Sequence, residues 1–203
     1  MFIVIEGLDG SGKSTVSKHL AKKLNAKLLT TPGADFKDTR KQLDAVFSNN
    51  SKARQLFYMA TVLNVADEAQ SLITSGKNVV VDRYWLSTQV YHCWMSNGQH
   101  YTLQEVESEL LTPDLTVFLD LPMYERNKRI NNRKNCTIED SKTLTLTANE
   151  ELRNLYQKMS DSQPVGQWFQ VDARQDVESI IVTIKSKVNE LGLLKEHSIE
   201  NFS

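Results

Sequence analysis

Two cysteines in 203 residues, Cys93 and Cys136, are too few for a disulfide framework, and they lack the spacing of a metal site. Four histidines are scattered without a metal-type pair. The cysteines therefore read as ordinary thiols of a reducing compartment. Net charge is almost absent too. Lys+Arg total 24 against 25 Asp+Glu, a formal charge of −1, so no strong field favours a polyanion, and nucleic acid is not an expected partner. The clearest basic run is the short one between Arg126 and Lys134. Long apolar runs are missing as well. Phe2-Ile3-Val4-Ile5 supplies four apolar residues before Glu6, too short for a signal-peptide core or a membrane span. The expectation is a cytoplasmic chain with no membrane partner.

A composition of 40% hydrophobic and 24% charged residues is that of an ordinary globular protein, and the length suits a single domain, 1–203. Short apolar runs alternate with longer helical stretches, with no internal repeat or low-complexity segment. Phe2–Ile5, Lys27–Leu29, Asn78–Val81, Leu115–Leu119 and Trp168–Val171 read as strands, aliphatic or β-branched on both faces and hence buried between two layers. Val16, Leu20 and Leu24 recur at helical spacing. Further helices are expected at Thr39–Phe47, Lys52–Ser75 (stopped by Gly76), Leu86–Met95, Met123–Arg133, Asn149–Met159 and Asp176–Leu191. This rhythm predicts an α/β fold, a parallel sheet with helices on both faces. The polar stretch 131–147 reads either as a small lid over a site or as a plain surface loop.

Gly7-Leu8-Asp9-Gly10-Ser11-Gly12-Lys13-Ser14 fits G-x-x-x-x-G-K-[ST] at every fixed position. The pattern follows from phosphate chemistry. Glycines at 7, 10 and 12 let backbone N–H groups turn inward around phosphate oxygens, and the next helix adds the positive end of its dipole. Lys13 then reaches the β- and γ-phosphates of ATP, and the Ser14 hydroxyl binds Mg²⁺. An apolar strand directly before and an amphipathic helix directly after supply the context such a cradle requires.

Asp82 and Arg83 end the apolar run Asn78–Val81, at the strand edge where ligands sit in open α/β sheets. Asp82 is a candidate for the Mg²⁺ hydration shell, and Arg83 for a two-pronged phosphate clamp. Arg126, Arg129 and Arg133 fall on one face of a helix by their spacing. They read either as lid charges for phosphoryl transfer or as a solvated basic face.

With these motifs the chain resembles the thymidylate kinase family from Phe2 to about Leu191. The resemblance rests on Glu6-Gly7-Leu8-Asp9-Gly10-Ser11-Gly12-Lys13-Ser14-Thr15, Pro32-Gly33, Asp82-Arg83-Tyr84, Pro113-Asp114-Leu115 and Val171-Asp172-Ala173. The stretch Asp82–Thr88 is also similar to the mitochondrial UMP/CMP kinase, a divergent member. The resemblance implies a P-loop kinase fold with a five-stranded parallel sheet and a small lid, ATP and Mg²⁺ as cofactors, and a homodimer. It implies that Asp9 meets the acceptor sugar, Arg40 and Arg83 hold the acceptor phosphate, and Phe57 stacks on the base. Thr88 and Tyr91 would line the base and sugar pocket, and Ala173 would pass beside adenine; the catalytic set read from the motifs is Lys13, Arg83 and Asp9, with Arg129 and Arg133 added if their face is a lid.

Two departures stand out. Family members carry a base-reading arginine twenty residues before the Asp-Arg-Tyr aspartate, where this chain has Val62. The loop after the second strand reads Thr30-Thr31-Pro32-Gly33 instead of Arg-Glu before the proline. Both imply a base preference less tuned to thymine. The expected reaction is transfer of the γ-phosphoryl group of ATP to a pyrimidine (deoxy)nucleoside monophosphate, with dTMP the family default. UMP, CMP, dUMP or dCMP are alternative acceptors. A deoxynucleoside kinase is the other alternative. It needs a carboxylate base near the second strand, a role for which Asp35 is the candidate.

Overall fold

The computed structural model describes residues 1–99, 102–132 and 142–194. Among them are five strands, eight α-helices and a short 3₁₀ turn, Ala34–Phe36. In chain order these are β1 (Phe2–Gly7), α1 (Lys13–Lys23), β2 (Ala26–Thr30), α2 (Lys37–Val46), α3 (Ser51–Thr74), β3 (Asn78–Asp82) and α4 (Trp85–Met95). The chain continues through α5 (Gln104–Glu109), β4 (Leu115–Asp120), α6 (Met123–Asn131), α7 (Leu146–Met159), β5 (Gln167–Asp172) and α8 (Val177–Glu190). All five expected strands are present. The short α5 escaped the sequence reading because its six residues bury nothing and so leave no apolar periodicity.

The strands form one parallel sheet in the order β2-β3-β1-β4-β5. Alternation along β1 builds both cores. Phe2 and Val4 pack with Met59, Val62, Tyr84 and Leu152 on the face covered by α3, α4 and α7. Ile3 and Ile5 pack with Val16, Leu20, Ile181 and Ile184 on the face covered by α1 and α8. The central strands are buried on both faces as their composition requires. The edge strands β2 and β5 are partly exposed, which corrects the expectation that all five are enclosed. An edge strand has one neighbour only, so one of its long sides stays open to solvent.

Strand order positions the chemistry. β1 lies between β3 and β4, so its carboxyl end is a topological switch point, where chain connections diverge and leave a crevice. Pairing of Ile5 with Asp82, together with the hydrogen bond donated by Arg83 N to Ile5 O at 3.1 Å, delivers Asp82 and Arg83 to the start of the glycine loop.

Candidate active site

The loop leaving β1 holds its shape through glycines that accept no substitute. At Gly7, φ is +145°, and a Cβ would sit 2.8 Å from the Leu119 carbonyl oxygen. At Gly10, φ is +86°, and a Cβ would meet the Ile130 side chain at 2.9 Å. Gly12 caps α1, whose first turn carries Lys13, Ser14 and Thr15, the two hydroxyl residues exposed. Lys13 is buried, donates from Nζ to the Leu8 carbonyl at 2.9 Å and lies 3.9 Å from Asp9.

Burial, reinforced by the nearby Arg83 charge, brings the Lys13 ammonium down to about 7, although Asp9, Asp82 and Glu6 pull the other way. Much of Lys13 is therefore neutral in the unliganded protein at about pH 8, and a polyphosphate restores its proton. ATP binding near that pH is expected to take up protons, seen as a buffer-dependent heat in calorimetry, and the uptake should vanish in Lys13→Ala. A buffer-independent heat in the parent protein would mean that Lys13 is already charged.

Arg83, the residue after β3, sits in the left-handed region at φ +68°. It ion-pairs with Asp9, lies 5.6 Å over the Tyr91 ring and approaches Ser87 Oγ at 3.4 Å. The Tyr91 hydroxyl donates to Asp9 Oδ2 at 3.0 Å. Burial acts to raise the Asp9 carboxyl, but the Arg83 and Lys13 charges and the Tyr91 hydroxyl outweigh it and hold the group well below the carboxylate range. Asp9 is thus an anion and a poor proton acceptor.

A residue the sequence reading left without a role fixes this geometry. Glu6 is wholly buried in β1 and reaches across to the start of α4. It accepts from Tyr84 N at 3.0 Å, Ser87 N at 3.2 Å and the Ser87 hydroxyl, which fastens the residues on either side of the Arg83 turn. Burial raises its carboxyl, while Ser87, Tyr84 and Arg83 oppose that shift. The signal was legible in principle, because a lone acid inside a wholly buried strand must have partners. Glu6→Leu is expected to destabilise the protein by about 1–3 kcal/mol for each backbone donor it strands. The effect is read by denaturant unfolding, and an unchanged midpoint would show that other groups cap α4.

Beside the glycine loop opens a cavity of about 390 Å³. Asp9, Arg83, Thr88 and Tyr91 line it, and Arg40 joins them from α2. Phe57 does not. It packs edge-on against Phe36 (ring centroids 6.3 Å apart) and Tyr58 (5.4 Å). Arg54 and Tyr58, four residues apart on α3, take the wall instead, and one step along a helix turns Phe57 away by about 100°. Val62, further along the same face, is wholly buried in the core and forms no part of the wall. Asp35 is exposed and off the cavity, so it offers no base there.

The two described arginines of α6 are not a free basic face. Arg126 is fully buried, donating to Asp9 O at 2.8 Å, Asn149 Oδ1 at 2.8 Å and Thr143 Oγ1 at 3.2 Å. It braces the loop from beneath. Arg129 bridges the Ser11 carbonyl at 3.2 Å and the Ala173 carbonyl at 2.8 Å, so it ties the glycine loop to the segment after β5. Arg133 and residues 134–141 of the expected lid lie outside the described residues. Lys142 and Thr143, near the end of that stretch, line the cavity.

A glycine cradle at a helix N-terminus, a buried lysine and an arginine-lined cavity at a sheet switch point define a P-loop phosphotransferase. The model of the family described as "Thymidylate kinase" matches residues 5–184, and the chain belongs to that family of nucleoside monophosphate kinases. A probable thymidylate kinase of Thermococcus onnurineus is 30% identical, with 98% of each chain covered. One from Thermococcus gammatolerans is 32% identical, covering 89% of this chain and 91% of that protein. The thymidylate kinase of Chlamydia abortus is 29% identical over 96% of this chain and 98% of its own. Among solved structures, a deoxyadenosine kinase from M. mycoides with bound dATP superposes with a TM-score of 0.65 at 22% identity, covering 93% of this chain and 100% of that one. That likeness speaks for the fold. No helix among the described residues is long and apolar enough to cross a membrane.

Proposed function

We propose that the protein transfers the γ-phosphoryl group of ATP to dTMP, giving ADP and dTDP. The observation that carries this reading is the charge of the acceptor cavity. Arg40, Arg54 and Arg83 line it, and among its described lining residues the only carboxylate is Asp9, already committed to Arg83. Such a wall suits a phosphate monoester, itself an anionic nucleophile that needs no general base. A nucleoside hydroxyl would need a carboxylate free to take its proton. An acceptor phosphate oxygen attacks the γ-phosphorus in line, the bond to the β-bridging oxygen breaks, and ADP leaves.

In this reading the glycine loop and Lys13 hold the donor phosphates. Asp9 turns toward the acceptor sugar, Arg83 with Arg40 holds the acceptor phosphate, Thr88 and Tyr91 line the base and sugar, and Ala173 borders adenine. Arg129 steadies the loop between Ser11 and Ala173. The residues present suit Mg²⁺. Asp82 is buried, and its Oδ1 has no hydrogen-bond partner among the described residues, while the Ser14 hydroxyl is exposed at the start of α1. Among the described residues no cluster of three or more His, Cys, Asp or Glu forms a metal cage, which suits an ion brought in with the nucleotide. When bound, the ion neutralises charge on the β- and γ-phosphates, with Ser14 as ligand and Asp82 holding its hydration shell. A homodimer, common in the family, completes the proposal and is checked by sedimentation.

The decisive experiment is an ADP-release assay across dTMP, dUMP, dCMP, UMP, CMP and the matching nucleosides. Turnover of dTMP with thymidine inert is the expected result. Turnover of thymidine with every monophosphate inert would overturn the proposal.

A further inference from the structure

We infer that Arg126 is a positioning residue for phosphoryl transfer: from beneath the glycine loop it turns the Asp9–Gly10 peptide so that the Gly10 N–H faces the donor phosphates. The inference rests on ATP as the proposed donor and on no choice of acceptor.

Arg126 stands out first by its charge. Its side chain is fully buried, and among the described residues no carboxylate pairs with it. Its hydrogen bonds go instead to neutral oxygens: Asp9 O and Asn149 Oδ1, each at 2.8 Å, Thr143 Oγ1 at 3.2 Å and Thr143 O at 3.4 Å. Burial acts to lower the guanidinium, which nonetheless stays charged. A cation taken from water without a counter-ion is costly, and an apolar side chain would fill the space without that penalty. What an apolar side chain lacks is a rigid fork of donors that can fix a carbonyl in direction.

The fork acts on the glycine loop. Asp9 O accepts from Arg126 Nε, and Asp9 N donates to the Tyr91 hydroxyl at 3.3 Å, so side chains hold both peptides that flank Asp9. In a planar trans peptide the carbonyl and the N–H point in opposite directions. With Asp9 O drawn down onto α6, the Gly10 N–H is aimed out of the opposite face of the loop. Arg129 repeats the device at Ser11 O, and so aims the Gly12 N–H the same way. The loop also rests on α6 here, since a Cβ on Gly10 would come within 2.9 Å of Ile130 Cγ1 and 3.3 Å of Arg126 O. A charged donor on the carbonyl polarises the peptide and strengthens its N–H as a donor in turn. The other end of the fork is anchored by Asn149 on α7, a buried residue that lines no part of the cavity.

Arg126→Met, Arg126→Lys and Asn149→Leu in the full-length chain test this by kinetics, ATP calorimetry and hydrogen exchange. In Arg126→Met, kcat is expected to fall roughly 10- to 100-fold and ATP affinity severalfold, with the acceptor KM within about twofold of the parent. Arg126→Lys keeps the charge and should recover part of the loss. Asn149→Leu frees the fork without touching the loop, and should show a smaller loss of the same pattern. In the unliganded variants, exchange of the Ser11 amide, held to Leu8 O at 3.1 Å, should quicken about tenfold while β1 stays unchanged. Parental kcat and ATP affinity in a folded Arg126→Met protein would make Arg126 a packing residue and overturn the inference. A loss carried by the acceptor KM alone would overturn it too. Should Arg126→Met not fold, Arg126→Lys and Asn149→Leu are read by the same criteria. If the parent binds no ATP, the proposed donor fails by itself. Exchange at Ser11 then decides the role of Arg126, and unchanged rates in the variants overturn it.

Discussion

Lys13→Ala is expected to lower kcat by about a hundred- to a thousandfold, with the fold intact. The ammonium stands buried in the glycine cradle, 2.9 Å from the Leu8 carbonyl, and removing one preorganised charge-stabilising group costs ~3–4 kcal/mol of transition-state stabilisation. The stability side can be signed as well. The folded protein holds Lys13 at about 7, against an ordinary value of 10.5. A lysine lowered in the folded state costs stability below its unfolded value, and that cost grows as pH falls toward 7, where it is complete. At neutral pH the alanine variant should therefore melt no earlier than the parent, although it gives up the 2.9 Å bond to Leu8 O. Steady-state kinetics on a variant of verified thermal stability is the check. Near-parental turnover would remove Lys13 from the donor site and the glycine loop from its assigned role.

Arg83→Lys is expected to be nearly as damaging, although it conserves charge. The guanidinium does three things at once: it pairs with Asp9, lies over Tyr91 and approaches Ser87. A lysine keeps a point charge and loses the fork that binds a phosphate through two parallel hydrogen bonds. A fall of roughly 100- to 1000-fold in kcat/KM for the acceptor is expected, with ATP affinity little changed. Acceptor kinetics and donor binding measured on the same variant separate the two sites. If ATP affinity collapses while the acceptor KM holds, Arg83 serves the donor.

The two variants probe one cluster from opposite sides. Asp9 lies between Lys13 and Arg83, and its own backbone carbonyl accepts from the buried Arg126. The two cations therefore share a carboxylate whose main chain is braced by Arg126. Arg126→Ala would leave Asn149 and Thr143 facing a void, so its effects would mix stability with position. For that reason the sharper tests are at Lys13 and Arg83.

Local chemistry made much of this legible without coordinates. The glycine spacing at 7, 10 and 12 dictates a phosphate cradle because only residues without a Cβ can take those backbone angles, and this holds whatever surrounds them. The five buried runs dictate strands, and their alternation with helices dictates a parallel sheet. Asp82 and Arg83 at the end of one such run were assigned to the ligand edge by the same rule. Other features depended on direction in space, which spacing does not encode. Tyr58 faces the cavity and Phe57 does not, because the rotation of α3 against the sheet is set by packing of Met59, Val62 and Val65 into the core. The same packing seals Val62 away from the cavity. Arg126 and Arg129 belong to one helical face in sequence, yet tertiary contacts bury one and tie the other to Ser11 and Ala173. The role of Glu6 arises across 81 residues of chain, where β1 meets the start of α4. Sequence alone thus determined the shape of the glycine loop and the charged residues that follow β1 and β3, since backbone freedom and side-chain charge are local properties. Which residues line the cavity beside that loop was decided only by the tertiary structure, because helix rotation is fixed by the packing of distant side chains.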